Sequence, residues 1–178
     1  LATVRGIRLA LVAAQGDGDL EDAMQRLAQL AADGGAPARE AQPSLRVLRR
    51  IGQLAQDDVA PDAGWFLRAE LLRDSLRARG LAAQAFVAMG ERFPDSPWTP
   101  KALLAAIAAG HPAADSLRAV LDARYADSPY RRAAAGAILP ADAEAYRVLE
   151  DSLLWLAALA APEPSVERRP VARDVDRA

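Results

Sequence analysis

His111 is the only histidine in this 178-residue chain, and there is no cysteine. A Ser-His-Asp relay or a multi-histidine metal site would have to be built around that one ring, while disulfides, thiolate nucleophiles and Cys-containing zinc sites are removed outright. Its setting, Gly110-His111-Pro112 ahead of an apolar-periodic segment, reads as a solvent-facing turn. Asp17, Asp19, Glu21 and Asp22 place four carboxylates within six residues, a density that holds a hard cation when loop oxygens converge. The loop lacks the further acidic ligand that closes a twelve-residue calcium loop, and helix capping accounts for the same residues. No metal ion and no cofactor is expected. Glu70, Asp74 and Glu91 could supply the paired carboxylates of a glycoside hydrolase. Glu70 and Asp74, however, stand four apart beside Arg73 and Arg77, the spacing of surface ion pairs on one helical face. Gly34-Gly35 has neither the lysine nor the strand-to-helix setting of a phosphate-cradling loop. No catalytic residue is assigned.

Charge narrows the partners further. The 22 basic residues against 24 acidic ones leave a net charge of −2, so the chain has no electrostatic reason to seek phosphate backbones and nucleic acid is not expected. All the basic residues but Lys101 are arginine, which resembles the codon bias of a GC-rich bacterial genome. Arg46, Arg49 and Arg50 share one helical face and read as a solvated surface. Trp65, Trp98 and Trp155 are either packing wedges in a lean core or, where one faces a groove, anchors for a partner, because aromatic residues dominate binding hot spots.

The elements that would position these residues are all helical. Hydrophobic residues make up 52% of the chain but aromatics only 5%, and 43 residues are alanine, so the core must be closely spaced helices with small side chains between them. Val4, Ile7, Leu11 and Ala14 mark a helix over 3–15, and Ala23, Leu27, Leu30 and Ala31 a second over 20–32 with Asp19 as its cap. Residues 33–43, rich in Gly and Pro, predict a turn and a polar connection. A third helix follows over 44–56, then helices over 62–79 and 81–93 with Gly80 as the left-handed residue between them. Helices over 98–109 and 113–125, a short one from 129 to about 137, and a long final one over 141–161 complete the series. The last carries Tyr146, Leu149, Leu153, Leu156 and Ala160 on one stripe. Residues 162–178 are charged and poor in apolar material, which predicts a disordered tail. The domain therefore runs over 1–161, with hairpins near 3–32, 44–79/81–93, 98–125 and 129–161.

Phe93-Pro94-Asp95-Ser96-Pro97-Trp98 returns thirty-two positions later as Tyr125-Ala126-Asp127-Ser128-Pro129-Tyr130. In each copy the first aromatic closes a helix, Asp or Ser can cap the next, Pro suits a first helical turn, and the second aromatic opens a new apolar face. Two copies in register at such a period predict stacked helix pairs.

Gly18-Asp19-Leu20-Glu21-Asp22-Ala23 and Gly80-Leu81-Ala82-Ala83-Gln84-Ala85 carry a turn and an early small residue that resemble tetratricopeptide repeats. The Asp-Ser-Pro signature, continuing as Thr99-Pro100-Lys101-Ala102-Leu103, looks more specifically like repeats of bacterial envelope proteins of the barrel-assembly-lipoprotein and Tol-associated cell-division-coordinator type. The resemblance is good over 64–137, partial over 3–32 and absent over 141–178; residues 33–61 fit no repeat. It implies an α-solenoid that acts as a non-enzymatic scaffold for a peptide or protein partner, with Arg68, Trp98 and Lys101 as candidate contacts, in the periplasm or at the outer membrane of a bacterium. The alternatives are a cytoplasmic location, a peptidoglycan-acting hydrolase on a helical solenoid, and a structural segment of a longer repeat protein. The chain begins at Leu1 without a charged-then-apolar leader and reads as a processed or excised piece. Its longest apolar run, about nine residues before Pro162, is too short for a bilayer that needs about twenty, so a soluble chain is expected.

Overall fold

Thr3 opens the first helix by accepting the Gly6 N–H on its hydroxyl at 3.1 Å, and Val4, Ile7 and Leu11 turn one face inward along α1, Val4–Val12. The computed structural model describes residues 3–56, 60–137, 143, 144 and 146–151, and these are all-α, with no strand among them. The helices are α2, Asp17–Ala32; α3, Gly35–Leu54; α4, Pro61–Glu70; a π-helical turn, Leu71–Ser75; α5, Arg79–Arg92; α6, Thr99–Ala108; α7, Ala114–Arg124; and α8, Pro129–Ala134. Residues 146–151 are helical as well. The stripe of Leu153, Leu156 and Ala160, Trp155 and the tail over 162–178 lie outside the described residues.

α1 ends at Val12 and α8 at Ala134, each about three residues before the expected stop, and the larger differences have local reasons. α2 starts at Asp17 rather than after Asp19, because Gly16 takes the extended cap position and the Asp19 carboxylate reaches back to the N–H groups of Gln15 at 2.7 Å and Gly16 at 3.3 Å. Residues 35–43 are helix, not a polar connection. Gly34 and Gly35 make the turn with φ of 79° and 74°, and the inward stripe of α3 then starts as early as Ala41, which is fully buried, and runs through Leu45, Leu48 and Ile51. Pro43 sits inside that helix, where its ring removes the donor for the carbonyl one turn back. Arg8 of α1 braces the spot, donating to the Glu40 carbonyl at 3.0 Å and to the Ser44 hydroxyl at 3.3 Å. Finally, Gly80 is not the left-handed residue: it lies in the first turn of α5, and Arg77 carries the positive φ, 60°. The helix expected over 62–79 instead ends in the π turn at Ser75, with the Leu76 N–H bonded to Leu71 O at 3.1 Å and Ala78 N–H to Leu72 O at 2.9 Å.

The two Asp-Ser-Pro turns share their closing aromatic and their serine bond but start the next helix differently, α8 at Pro129 and α6 two residues later in the motif, at Thr99. Phe93 and Tyr125 end α5 and α7 with φ of −128° in both, each donating its N–H four residues back. Ser128 caps α8, its hydroxyl accepting the Tyr130 N–H at 3.3 Å; the Ser96 hydroxyl accepts the Trp98 N–H at 3.2 Å within the turn, but Trp98 itself holds the cap position of α6 and no side chain caps that helix. Both second aromatics are buried, Trp98 and Tyr130 alike at 3% exposure. The copies are also laced to their neighbours, since Tyr125 donates its hydroxyl to Pro94 O at 2.5 Å and Ser96 donates to Asp62 at 2.6 Å.

Packing follows chain order, with the broadest interfaces between α2 and α3 and between α5 and α6. Lean side chains allow the close approach: Gly90 of α5 faces Leu103 and Thr99 so tightly that a Cβ there would stand 3.2 Å from Leu103 Cδ2. Thr99 is the one buried polar side chain of the described core, and it donates to Phe93 O at 2.5 Å.

Candidate functional site

Side chains of α4 reach neighbouring elements on two sides, Arg68 toward α2 and Phe66 toward Lys101 of α6. On the first side Arg68 of α4 pairs with Asp17 of α2. Its side chain is only 12% exposed, and its Nε is buried with no hydrogen-bond partner. A cleft of about 130 Å³ opens beside this pair, walled by Leu20, Glu21 and Met24 of α2 and Leu48 of α3. Trp65, half-buried, lies under Arg68 at 5.9 Å and Arg92 at 5.3 Å, with its edge to Phe93.

On the second side, Phe66 of α4 is the platform. Trp98 stacks on it with ring centroids 4.7 Å apart, and Lys101 Nζ of α6 sits 5.4 Å over its face. Lys101 then pairs with Glu150 at 2.5 Å, and the other Glu150 oxygen accepts the Tyr130 hydroxyl. Tyr146, one turn before Glu150, packs edge-on to Tyr130 at 5.4 Å and donates to Pro129 O at 2.6 Å. Residues 146–151 thus reach both α6 and α8.

Electrostatics separates the two carboxylates here. Burial pushes the Glu70 carboxyl above its ordinary pKa, against the pull of Lys101 and Arg73. Burial would also raise Glu150, but hydrogen bonds from Lys101 and Tyr130 outweigh it and hold that group below the usual carboxylate range. Burial, followed by the bond to Glu150, keeps the Tyr130 phenol protonated well beyond its ordinary range. Beside Glu70, Arg73 clamps Asp74 through two bonds of 2.8 Å, which lowers the Asp74 pKa, and lies 5.5 Å over Phe86.

The expected residues fall as follows. Arg68 lies in the group facing α2 and Lys101 in the separate group around Phe66 and Glu150. Trp98 does not offer its ring to a partner: it is a wedge in the core, because the Phe66 platform and the helix start bury it. Glu70 has the raised pKa that a general acid needs, but Glu91 is exposed on α5 and Glu150 has both oxygens engaged, so no second free carboxylate stands with it. Asp17 and Asp19 are occupied by Arg68 and the α2 cap, and among the described residues no group of three His, Asp or Glu could hold a metal. His111 accepts the Ala113 N–H on Nδ1 at 3.2 Å and so helps start α7. Arg46 and Arg49 are exposed. Sequence reasoning missed Glu150; its position four residues after Tyr146 on the inward stripe was the available signal. No helix of the described residues is long and apolar enough to cross a membrane.

Comparison with protein-family models, with curated proteins and with solved structures gives no match.

Proposed function

We propose that the chain is a non-enzymatic interaction module, a tetratricopeptide-like stack that binds a peptide or protein along α2, α4, α6 and α8. The observation that carries this reading is the pair of Asp-Ser-Pro turns, thirty-two residues apart, with matching serine-to-backbone bonds and matching buried aromatics. In a stack built on such turns α6 would lie beside α8, and these two do pack on each other; contacts mainly between neighbouring helices support the same reading. The part-exposed side chains on these helices include Met24, Trp65 and Lys101, with Arg68 largely covered beside the α2 cleft, a mixture of apolar, aromatic and cationic groups suited to an extended peptide. A bacterial envelope location, periplasmic or at the outer membrane, rests on the sequence resemblance alone.

The test is selection of binders from a random peptide display library, followed by affinity measurements on variants. Lys101→Ala and Met24→Ala should weaken the selected peptides at least fivefold, and Arg118→Ala on α7 should not. Peptides insensitive to the first two, or failure to select any, would count against the reading.

One observation favours a hydrolase instead, the raised pKa of Glu70 beside the π turn. Glycan cleavage abolished by Glu70→Gln would establish it. Leu9 and Val12, exposed at 64% and 50% on α1, favour a segment that stacks on further repeats.

A further inference from the structure

Tyr146, Leu149 and Glu150 are part-buried on the helical residues 146–151, while Arg147 and Asp151 are exposed. The inward side chains dock on more than one element. Tyr146 packs on Tyr130 and donates to Pro129 O at 2.6 Å, both at the start of α8. One turn later Glu150 pairs with Lys101 of α6, whose Nζ lies over Phe66 of α4. Burial raises the pKa of Glu70 on α4, and the charge of Glu150 adds to that rise, so the Glu150 carboxylate lies within electrostatic reach of α4 as well. Residues 146–151 therefore advance from α8 past α6 toward α4.

The surface ahead of Glu150 is part-exposed and largely apolar. Leu67 of α4 and Leu71 of the π turn flank Glu70 at helical spacing, and Leu104 stands one turn after Lys101 on α6, all three half-buried. The sequence supplies a matching segment. Leu153 to Ala161 are nine consecutive apolar residues, closed by Pro162. On a helix that keeps the phase of Tyr146, Leu149 and Glu150, Leu153, Ala157 and Ala160 fall on the same inward stripe, with Leu154 and Leu156 at its flanks. Residues 152–161 would extend such a helix by about 15 Å, against about 8–10 Å between packed helix axes, which carries the stripe from α6 across α4.

We infer that the segment 152–161 docks on the face formed by Leu67, Leu71 and Leu104, so that the chain covers part of the proposed peptide surface with its own apolar residues. The covalent link through Asp151 gives this segment a high effective concentration at that face, which a separate molecule lacks. A run of nine apolar residues also needs a partner surface, and the nearest one in the direction of 146–151 is this one. A segment that only capped the last repeat would cover α7 and α8 and leave Leu67 and Leu71 open. The contact stands on the placement of Tyr146 and Glu150. Its consequence, that an outside peptide must displace the segment, rests on the peptide-binding reading.

The chain has no cysteine, so a single nitroxide can be attached to the whole protein at Ala158→Cys, on the side of the helix away from the stripe. Enhanced amide relaxation is expected most strongly at Leu67, Leu71 and Leu104, with none at Leu9 and Val12 of α1. Adding Leu153→Asp and Ala157→Asp to the labelled chain should cut the enhancement at Leu67 at least threefold, while Leu159→Asp, on the opposite side, should leave it unchanged. Enhancement confined to α7 and α8, its absence from Leu67 and Leu71, or indifference to the paired aspartates would overturn the inference. A mixture of nitroxide-bearing protein and isotope-labelled protein without nitroxide should show no enhancement; enhancement of equal size there assigns the contact to a second copy and overturns it too. The paired aspartates should also tighten binding of a display-selected peptide at least fivefold, and equal affinity would overturn the competition. Failure of the peptide-binding reading shows separately, as a library that yields no binder while the enhancement at Leu67 stands.

Discussion

Truncating Trp98 to alanine should cost folding stability, not merely a surface contact. The indole is 3% exposed, stacks on Phe66 at 4.7 Å and follows the turn that starts α6, so removal leaves a cavity walled by Phe66 and the α5–α6 core. Large aromatic-to-alanine changes in a core cost about 3–5 kcal/mol. At about 2–4 °C per kcal/mol for a domain of this size, the melting midpoint should fall by about 6–20 °C. Trp98→Phe keeps an aromatic partner for Phe66 and should lose less than half as much. Trp65→Ala is the internal comparison: that ring is half-buried, packed on the core edge and Phe93, with two cation–π contacts, so a loss of about 1–3 kcal/mol, smaller than that of Trp98, is expected. Urea denaturation followed by far-UV circular dichroism measures all three. A loss below about 1 kcal/mol for Trp98→Ala, or an ordering in which Trp65 costs more, would refute the assignment of Trp98 to the core.

Three further outcomes follow from the geometry. Ser128→Ala removes the α8 cap, worth about 1 kcal/mol, whereas Ser96→Ala removes both the turn bond to Trp98 N–H and the donation to Asp62 at 2.6 Å, so chemical denaturation should show the larger loss at position 96. Gly90→Ala gains helix propensity of at most about 1 kcal/mol yet forces a methyl to 3.2 Å from Leu103, and a net loss of about 1 kcal/mol is expected in the same assay. Glu70 has a folded-state pKa above its unfolded value, so its ionisation opposes folding. Stability should fall as pH rises from about 4.3 through the raised folded pKa, then level off. Glu70→Gln should remove that part of the pH profile and be at least as stable as the parent at pH 7; a variant that is less stable there would contradict the burial argument.

Legibility in the sequence tracked the range of the interactions. The inward faces of α1, α2, α6 and α7 repeat every three or four residues, and the helices lie where that period puts them. The Asp-Ser-Pro turns were equally readable, since capping and aromatic closure are local. α3 was obscured by Gly34-Gly35 and Pro43, whose usual meaning as breakers is overridden by the packing of Ala41 and by Arg8 from another helix. The stop before α5 was misplaced because glycine is the ordinary left-handed residue, and the chain strains an arginine instead. The candidate site was legible only in part. Lys101 and Arg68 could be named from their place on first helices, whereas the Lys101–Glu150 pair joins residues forty-nine positions apart and leaves no local pattern. Trp98 looked the same in sequence as an anchor or a wedge, and only its contact with Phe66 decides.

The most direct test of the binding row is amide chemical-shift mapping of a peptide selected from the display library. The account predicts shifts concentrated on α2, α4 and α6, around Met24, Arg68 and Lys101. Shifts confined to α3, α5 and α7, or none at saturating peptide, would contradict it.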